Sequence, residues 1–182
     1  MTVAFPELTL EQFLADPNVD RRAEYLFGKV YEPVAESFLH FCQSRTLEDA
    51  LRMIFGADRV IRENDLPLLK HRPRPDIVVL RKGYREYRDK GGYRGEDAEL
   101  VIEVCLSTPD RDYRLKDTIY AEAGIPEYWI VDLAAETIEK RTNPAPLGYT
   151  KHEVFFRGGE ILGISVNDIL GEPSQGDPLG SV

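Results

Sequence analysis

A chain of 182 residues with 42% hydrophobic and 30% charged side chains has the make-up of one soluble globular domain with a single sizeable core. No apolar run approaches the roughly 20 residues that a membrane-crossing helix needs, so no membrane partner is expected, and the net charge of -9 argues against a broadly nucleic-acid-binding surface. Two cysteines without CxxC spacing argue against a disulfide scaffold or structural zinc, and no basic-then-apolar leader opens the chain, so the cytoplasm is the expected location.

Along the chain, Thr9-Leu10-Glu11-Gln12 has capping-box spacing and predicts a short helix that ends near Asp16-Pro17. Residues 21–34 read as a helix end or strand leading through Phe27-Gly28-Lys29 into a hairpin. From Ser37 to Phe55 apolar residues recur at helical spacing, without Gly or Pro, up to Gly56. Strands are expected at Arg59–Arg62 and Ile77–Leu80, then a polar, Tyr- and Gly-rich insertion from Arg81 to Asp97. The run Leu100-Val101-Ile102-Glu103-Val104-Cys105 reads as a strand covered on both faces. A helix follows from Asp110 to Ala123, stopped by Gly124 and Pro126, and then a buried strand from Glu127 to Leu133. Thr137–Arg141 and Tyr149–Phe156 predict a closing antiparallel pair. Val166–Leu170 ends the ordered domain of residues 1–170, and residues 171–182 form a loose Gly-, Pro- and Ser-rich tail. Because the strand–helix–strand unit from Glu99 to Leu133 must be parallel and right-handed, the fold class is α/β. The expected sheet is mixed: an antiparallel meander, one parallel βαβ unit and extra C-terminal antiparallel strands, flanked by helices.

Glu103 stands out. It shares a strand face with Val101 and Cys105, and a carboxylate removed from water costs several kcal/mol unless a cation or donors meet it. Asp76, introduced by Arg72-Pro73-Arg74-Pro75, opens a second apolar strand. If the two strands pair, both acids converge at one sheet end, and two converging carboxylates favour a divalent cation between them. The plainer alternatives are that Asp76 closes a turn and that Glu103 meets a buried arginine. Lys116, on the following helix, suits a role in orienting water and offsetting charge on a phosphate. Its alternative is an i,i+4 surface pair with Asp112. Basic residues gather between Arg59 and Arg94, which predicts either a local basic face near Asp76 or a merely solvated surface.

Taken together, Pro75-Asp76, Val101-Ile102-Glu103-Val104 and Asp112-x3-Lys116-x3-Tyr120-x3-Gly124-Ile125-Pro126-Glu127-Tyr128-Trp129-Ile130-Val131-Asp132 resemble the Uma-two family of endonucleases. That family falls within the PD-(D/E)XK nuclease superfamily, and the resemblance runs from about Leu8 to Leu170. It implies a restriction-endonuclease-like core in which Asp76 and Glu103 hold Mg²⁺ or Mn²⁺. The superfamily's usual lysine position is Cys105 here, and Lys116 matches the family's relocated lysine. Arg22-Ala23-Glu24-Tyr25-Leu26-Phe27-Gly28 resembles the family's early motif and makes Glu24 a third acidic site residue, directly or through water. His40 falls where many members carry a histidine, with a satisfied or exposed helix histidine as the plainer reading. Leu106, in Cys105-Leu106-Ser107-Thr108-Pro109, departs from the family pattern and would alter the rim of the site.

The resemblance therefore implies a Mg²⁺- or Mn²⁺-dependent nuclease acting on nucleic acid, with DNA the expected substrate. Asp76, Glu103, Glu24 and the Val104 carbonyl are the expected metal set, and Lys116 positions the attacking water. A homodimer would suit double-strand cutting by symmetry. The competing class is a non-catalytic module that keeps a nuclease fold to bind nucleic acid or protein. No GxSxG elbow or GxxxxGK[ST] loop competes.

Overall fold

Thr9 caps the first helix, α1 (Leu10–Ala15): its hydroxyl accepts the Gln12 N–H at 3.2 Å, and the Gln12 side chain accepts the Thr9 N–H at 2.8 Å. The computed structural model describes residues 8–33, 35, 37–106 and 111–172, with the backbone alone for 111–113. The tail expected to be loose lies almost wholly outside the described residues.

The segment read as a helix end or strand is a hairpin, β1 (Glu24–Leu26) and β2 (Lys29–Tyr31). Its two-residue turn places Phe27 at φ 50° and Gly28 at φ 77°, the left-handed pair that matches the twist of the strands. The hairpin covers Phe13 of α1 with Tyr25 and Val30. It is tied to the rest of the molecule by reciprocal backbone bonds between Tyr25 and Arg72, at 3.1 and 2.8 Å.

Ser37 caps α2 (Phe38–Phe55), its hydroxyl accepting the His40 N–H at 3.1 Å, and Gly56 ends the helix at φ 99°. Then come β3 (Val60–Arg62), β4 (Ile77–Leu80), three short 3-10 turns in the insertion, and β5 (Ala98–Cys105). A π turn over Arg111–Lys116 leads into α3 (Asp117–Glu122), where the sequence predicts one continuous helix from Asp110; residue 110 is outside the described set. After it run β6 (Glu127–Asp132), β7 (Thr137–Ala145) and β8 (Gly148–Phe156). A small hairpin, β9 (Glu160–Ile161) and β10 (Ile164–Ser165), precedes α4 (Val166–Leu170).

Six strands form one sheet in the order β3-β4-β5-β6-β7-β8. Every neighbouring pair is antiparallel except β5–β6, the pair joined through α3. Alternation along the strands divides the core in two. Leu100, Ile102, Val104, Trp129 and Val131 face Leu47 and Leu51 of α2 and Ile169 and Leu170 of α4. Val78, Leu80, Val101, Cys105, Tyr128 and Ile130 face Ile119 and Tyr120 of α3 together with Leu26 and Tyr31 of the hairpin. Glu103 belongs to the second face, under α3.

Candidate active site

The β5–α3–β6 crossover returns the chain over the end of β5 that carries Glu103, and the π turn delivers Lys116 there. Lys116 is 1% exposed, so a surface pair with Asp112 is not its role. Its Nζ lies 2.7 Å from Glu103 Oε1 and 2.9 Å from Glu24 Oε1. The cation meeting Glu103 is thus a lysine rather than an arginine. One helical turn on, the Tyr120 hydroxyl donates to the same Glu103 oxygen at 2.7 Å. Burial, reinforced by the Glu103 charge, pushes the Tyr120 phenol well above its ordinary range, which keeps it a proton donor.

Glu24 arrives from β1 because the Tyr25–Arg72 bridge sets the hairpin beside the segment leading into β4. The same segment supplies the Arg74 N–H, which donates to Glu24 Oε1 at 2.7 Å. Asp76 stands one step beyond the registered pair Ile77–Ile102, which sets it beside Glu103. Its Oδ2 accepts the Val104 N–H at 2.6 Å and lies 3.3 Å from His40 Nε2. The amide of Val104 makes this contact, which is separate from the metal-holding role expected of its carbonyl.

Side-chain exposure rises from 1% at Lys116 and 5% at Glu103 to 15% at Asp76, so the group is open to solvent on the Asp76 and His40 side. Two carboxylates, Glu24 and Glu103, meet the Lys116 ammonium and a third, Asp76, lies beside Glu103, a set of oxygen donors of the kind that hard divalent cations take. Among the described residues, however, no three His, Cys, Asp or Glu side chains are gathered into a metal-holding group. The reason is visible in the partners: Lys116 draws Glu24 and Glu103 together, while Asp76 turns toward Val104 N and His40.

All four side chains expected at the site, Glu24, Asp76, Glu103 and Lys116, come to this end of the sheet. Sequence reasoning named Tyr120 in the family motif without giving it a site role, and favoured an ordinary helix role for His40. Tyr120 had a readable signal, a hydroxyl four residues after Lys116 and hence on the same helical face. The Arg74 N–H has no sequence signal, because any residue offers the same backbone donor. Cys105 is buried in the core beneath α3.

This is a mixed α/β fold of the nuclease type, with an acid–lysine group at one end of its sheet. A sequence model described as "Putative restriction endonuclease", Uma2, matches residues 10–166, and the chain belongs to that family. Among solved structures, one titled a putative nuclease belonging to DUF820, from Anabaena variabilis, superposes with a TM-score of 0.73 at 17% identity, over 90% of this chain and 97% of that one. None of the curated proteins compared with this chain matches it. Among the described residues, no helix is long and apolar enough to cross a membrane.

Proposed function

We propose that this member of a nuclease family is a Mg²⁺- or Mn²⁺-dependent endonuclease that hydrolyses nucleic-acid phosphodiester bonds, with DNA as the expected polymer. The carrying observation is Lys116, 1% exposed and bridging Glu24 and Glu103 at the sheet end where Asp76 also lies. The donor set fits such a cation: three carboxylates offer hard oxygen ligands and, among the described residues, no convergent Cys/His group favours zinc. Asp76, Glu103, the Val104 carbonyl and Glu24 are the residues that would hold it. When bound, the cation supplies Lewis acidity toward the scissile phosphate and lowers the pKa of water.

The chain's own groups have separable parts. Lys116 positions the attacking water and offsets charge that develops on the phosphate. Tyr120 fixes one oxygen of Glu103, and His40 and Val104 N–H fix one oxygen of Asp76. The expected workplace is the cytoplasm, which a chain with two cysteines and no disulfide framework suits.

Calorimetric titration of Mg²⁺ and Mn²⁺ into the parent and Glu103→Gln, paired with cleavage assays on DNA, tests this reading. Binding and cleavage in the parent, both lost in Glu103→Gln and Asp76→Ala, are expected. Cleavage by Asp76→Ala at the parent rate would remove the site assignment. A second reading, a binding module on a nuclease fold, is favoured by one observation: Lys116 already occupies the space between Glu24 and Glu103. A parent that binds DNA but gains no thermal stability from Mg²⁺ would select that reading.

A further inference from the structure

Two phenylalanines at the start of α2 lie on its solvent side. Phe38 is 81% exposed and Phe41 45% exposed. Their rings stack on each other, with centroids 6.3 Å apart and planes tilted by 22°. The Arg62 guanidinium lies over Phe41, 5.3 Å from the ring centre. A stacked aromatic pair backed by an arginine, left open to water, is unexplained by the core.

Its position is informative. His40, in the same helical turn, lies 3.3 Å from Asp76 Oδ2. On the other side, Arg62 pairs with Ile77 in the sheet, and the Glu63 N–H donates to the Asp76 carbonyl at 3.0 Å. The aromatic pair is therefore continuous with the open, Asp76 side of the candidate site through both α2 and β3.

The charge around it says what kind of ligand fits. The chain carries a net charge of -9, and the arginines near α2 are already matched by acids: Arg45 by Glu48 and Asp49, Arg52 by Glu48, Arg62 by Glu48 and Glu63. Beside α2, phosphate neutralisation, the main source of duplex affinity, is poorly provided for. Base stacking on aromatic faces adds affinity of its own, and it requires bases that are not enclosed in a helix.

Resting on the nuclease reading, we infer that Phe38 and Phe41, with Arg62, form a base-stacking platform beside the site. The substrate class is nucleic acid with unpaired bases: single strands, flaps or frayed ends. The strand lies with its bases on the phenylalanines and its backbone directed toward Asp76.

The test measures fluorescence anisotropy of a labelled oligothymidylate of about twenty nucleotides and of a labelled duplex of the same length, in EDTA so that the probes are not cut. The parent is compared with Phe38→Ala, Phe41→Ala and Phe41→Tyr. The single strand is expected to bind about tenfold or more tighter than the duplex, with Phe41→Ala losing about tenfold and Phe41→Tyr retaining the parent affinity. Phe38 is so exposed that its truncation leaves the fold intact, which circular dichroism verifies. Equal affinity for strand and duplex, or unchanged strand binding in both alanine variants, overturns the platform. So does a concentration-dependent dimer in sedimentation velocity that Phe38→Ala dissolves, which would assign the patch to a second copy of the chain. The nuclease reading fails separately: strand binding that depends on Phe41, in a protein whose calorimetry shows no Mg²⁺ binding, keeps the platform and removes the catalysis.

Discussion

Lys116, Glu24, Glu103 and Tyr120 form a buried polar group in which each member is costly to remove. Lys116→Met leaves two carboxylates in a low-dielectric setting without their ammonium, and such broken buried pairs cost about 3–5 kcal/mol. Urea denaturation is expected to show that loss. Under the proposed function, Mg²⁺ should raise the melting temperature of Lys116→Met more than that of the parent, because the cation takes over neutralisation of the acids. An equal or smaller rise would separate Lys116 from the metal-binding residues. Tyr120→Phe keeps the ring and loses one hydrogen bond to a charged oxygen, so a loss of about 1.5–3 kcal/mol is expected by the same measurement. Glu103 and Asp76 were legible in the sequence because each interrupts or opens an apolar strand, whereas Glu24 and Lys116 took their places only from the family resemblance. The bond from Val104 N–H to Asp76 was not legible, since backbone donors carry no residue signature and the contact arises only when β4 and β5 pair.

The β1–β2 hairpin that supplies Glu24 rests on a titratable support. His71 Nδ1 accepts the Phe27 N–H at 3.2 Å, and burial holds the imidazole below its ordinary value of 6.5. Its folded pKa is therefore depressed, and the neutral form is the one that accepts. The stability it lends is fully present above pH 6.5 and is lost as pH falls through the lower folded value. A melting temperature that declines from pH 7 toward pH 5, with a shallower decline in His71→Asn, is the expected result. At the other end of the sheet, Gly148 has φ 131°, and a Cβ there would meet Asp117 Oδ2 at 2.1 Å. Asp117 is the first residue of α3 and accepts from buried Arg141 at 2.7 Å. Gly148→Ala should cost more than about 1 kcal/mol in denaturant unfolding, by strain and by displacing that carboxylate. These elements also show what sequence periodicity reaches. The strands flanking the Leu162-Gly163 turn are only two residues long, too short for alternation to register, so β9 and β10 could not be anticipated. The strand directions of β4, β5 and β6 could be, because a connection with no expected helix and then a helical crossover call for an antiparallel meander followed by one parallel unit.

Over the whole molecule, the site residues come from β1, the approach to β4, β5 and the turn before α3, so metal binding reports on the complete native fold. If Mg²⁺ binds only that fold, a concentration about a hundredfold above its Kd adds about 2.7 kcal/mol. For a chain of this length that amounts to a rise of roughly 5–10 °C in Tm. Differential scanning fluorimetry should record it in the parent and not in Asp76→Asn. The strands of the large sheet are laid side by side in their order along the chain. During synthesis each can therefore join the edge left by the one before it, N-terminal strands first. The turn carrying Lys116 runs directly into α3, and α3 is fastened late: Arg141 of β7 grips Asp117, and the Tyr149 hydroxyl of β8 donates to the Ile125 carbonyl at 2.8 Å. A nascent chain displays Glu24, Asp76 and Glu103 before those fasteners have left the ribosome. Under the proposed function, a cutting enzyme so ordered gains its full site only after β7 and β8 have been made.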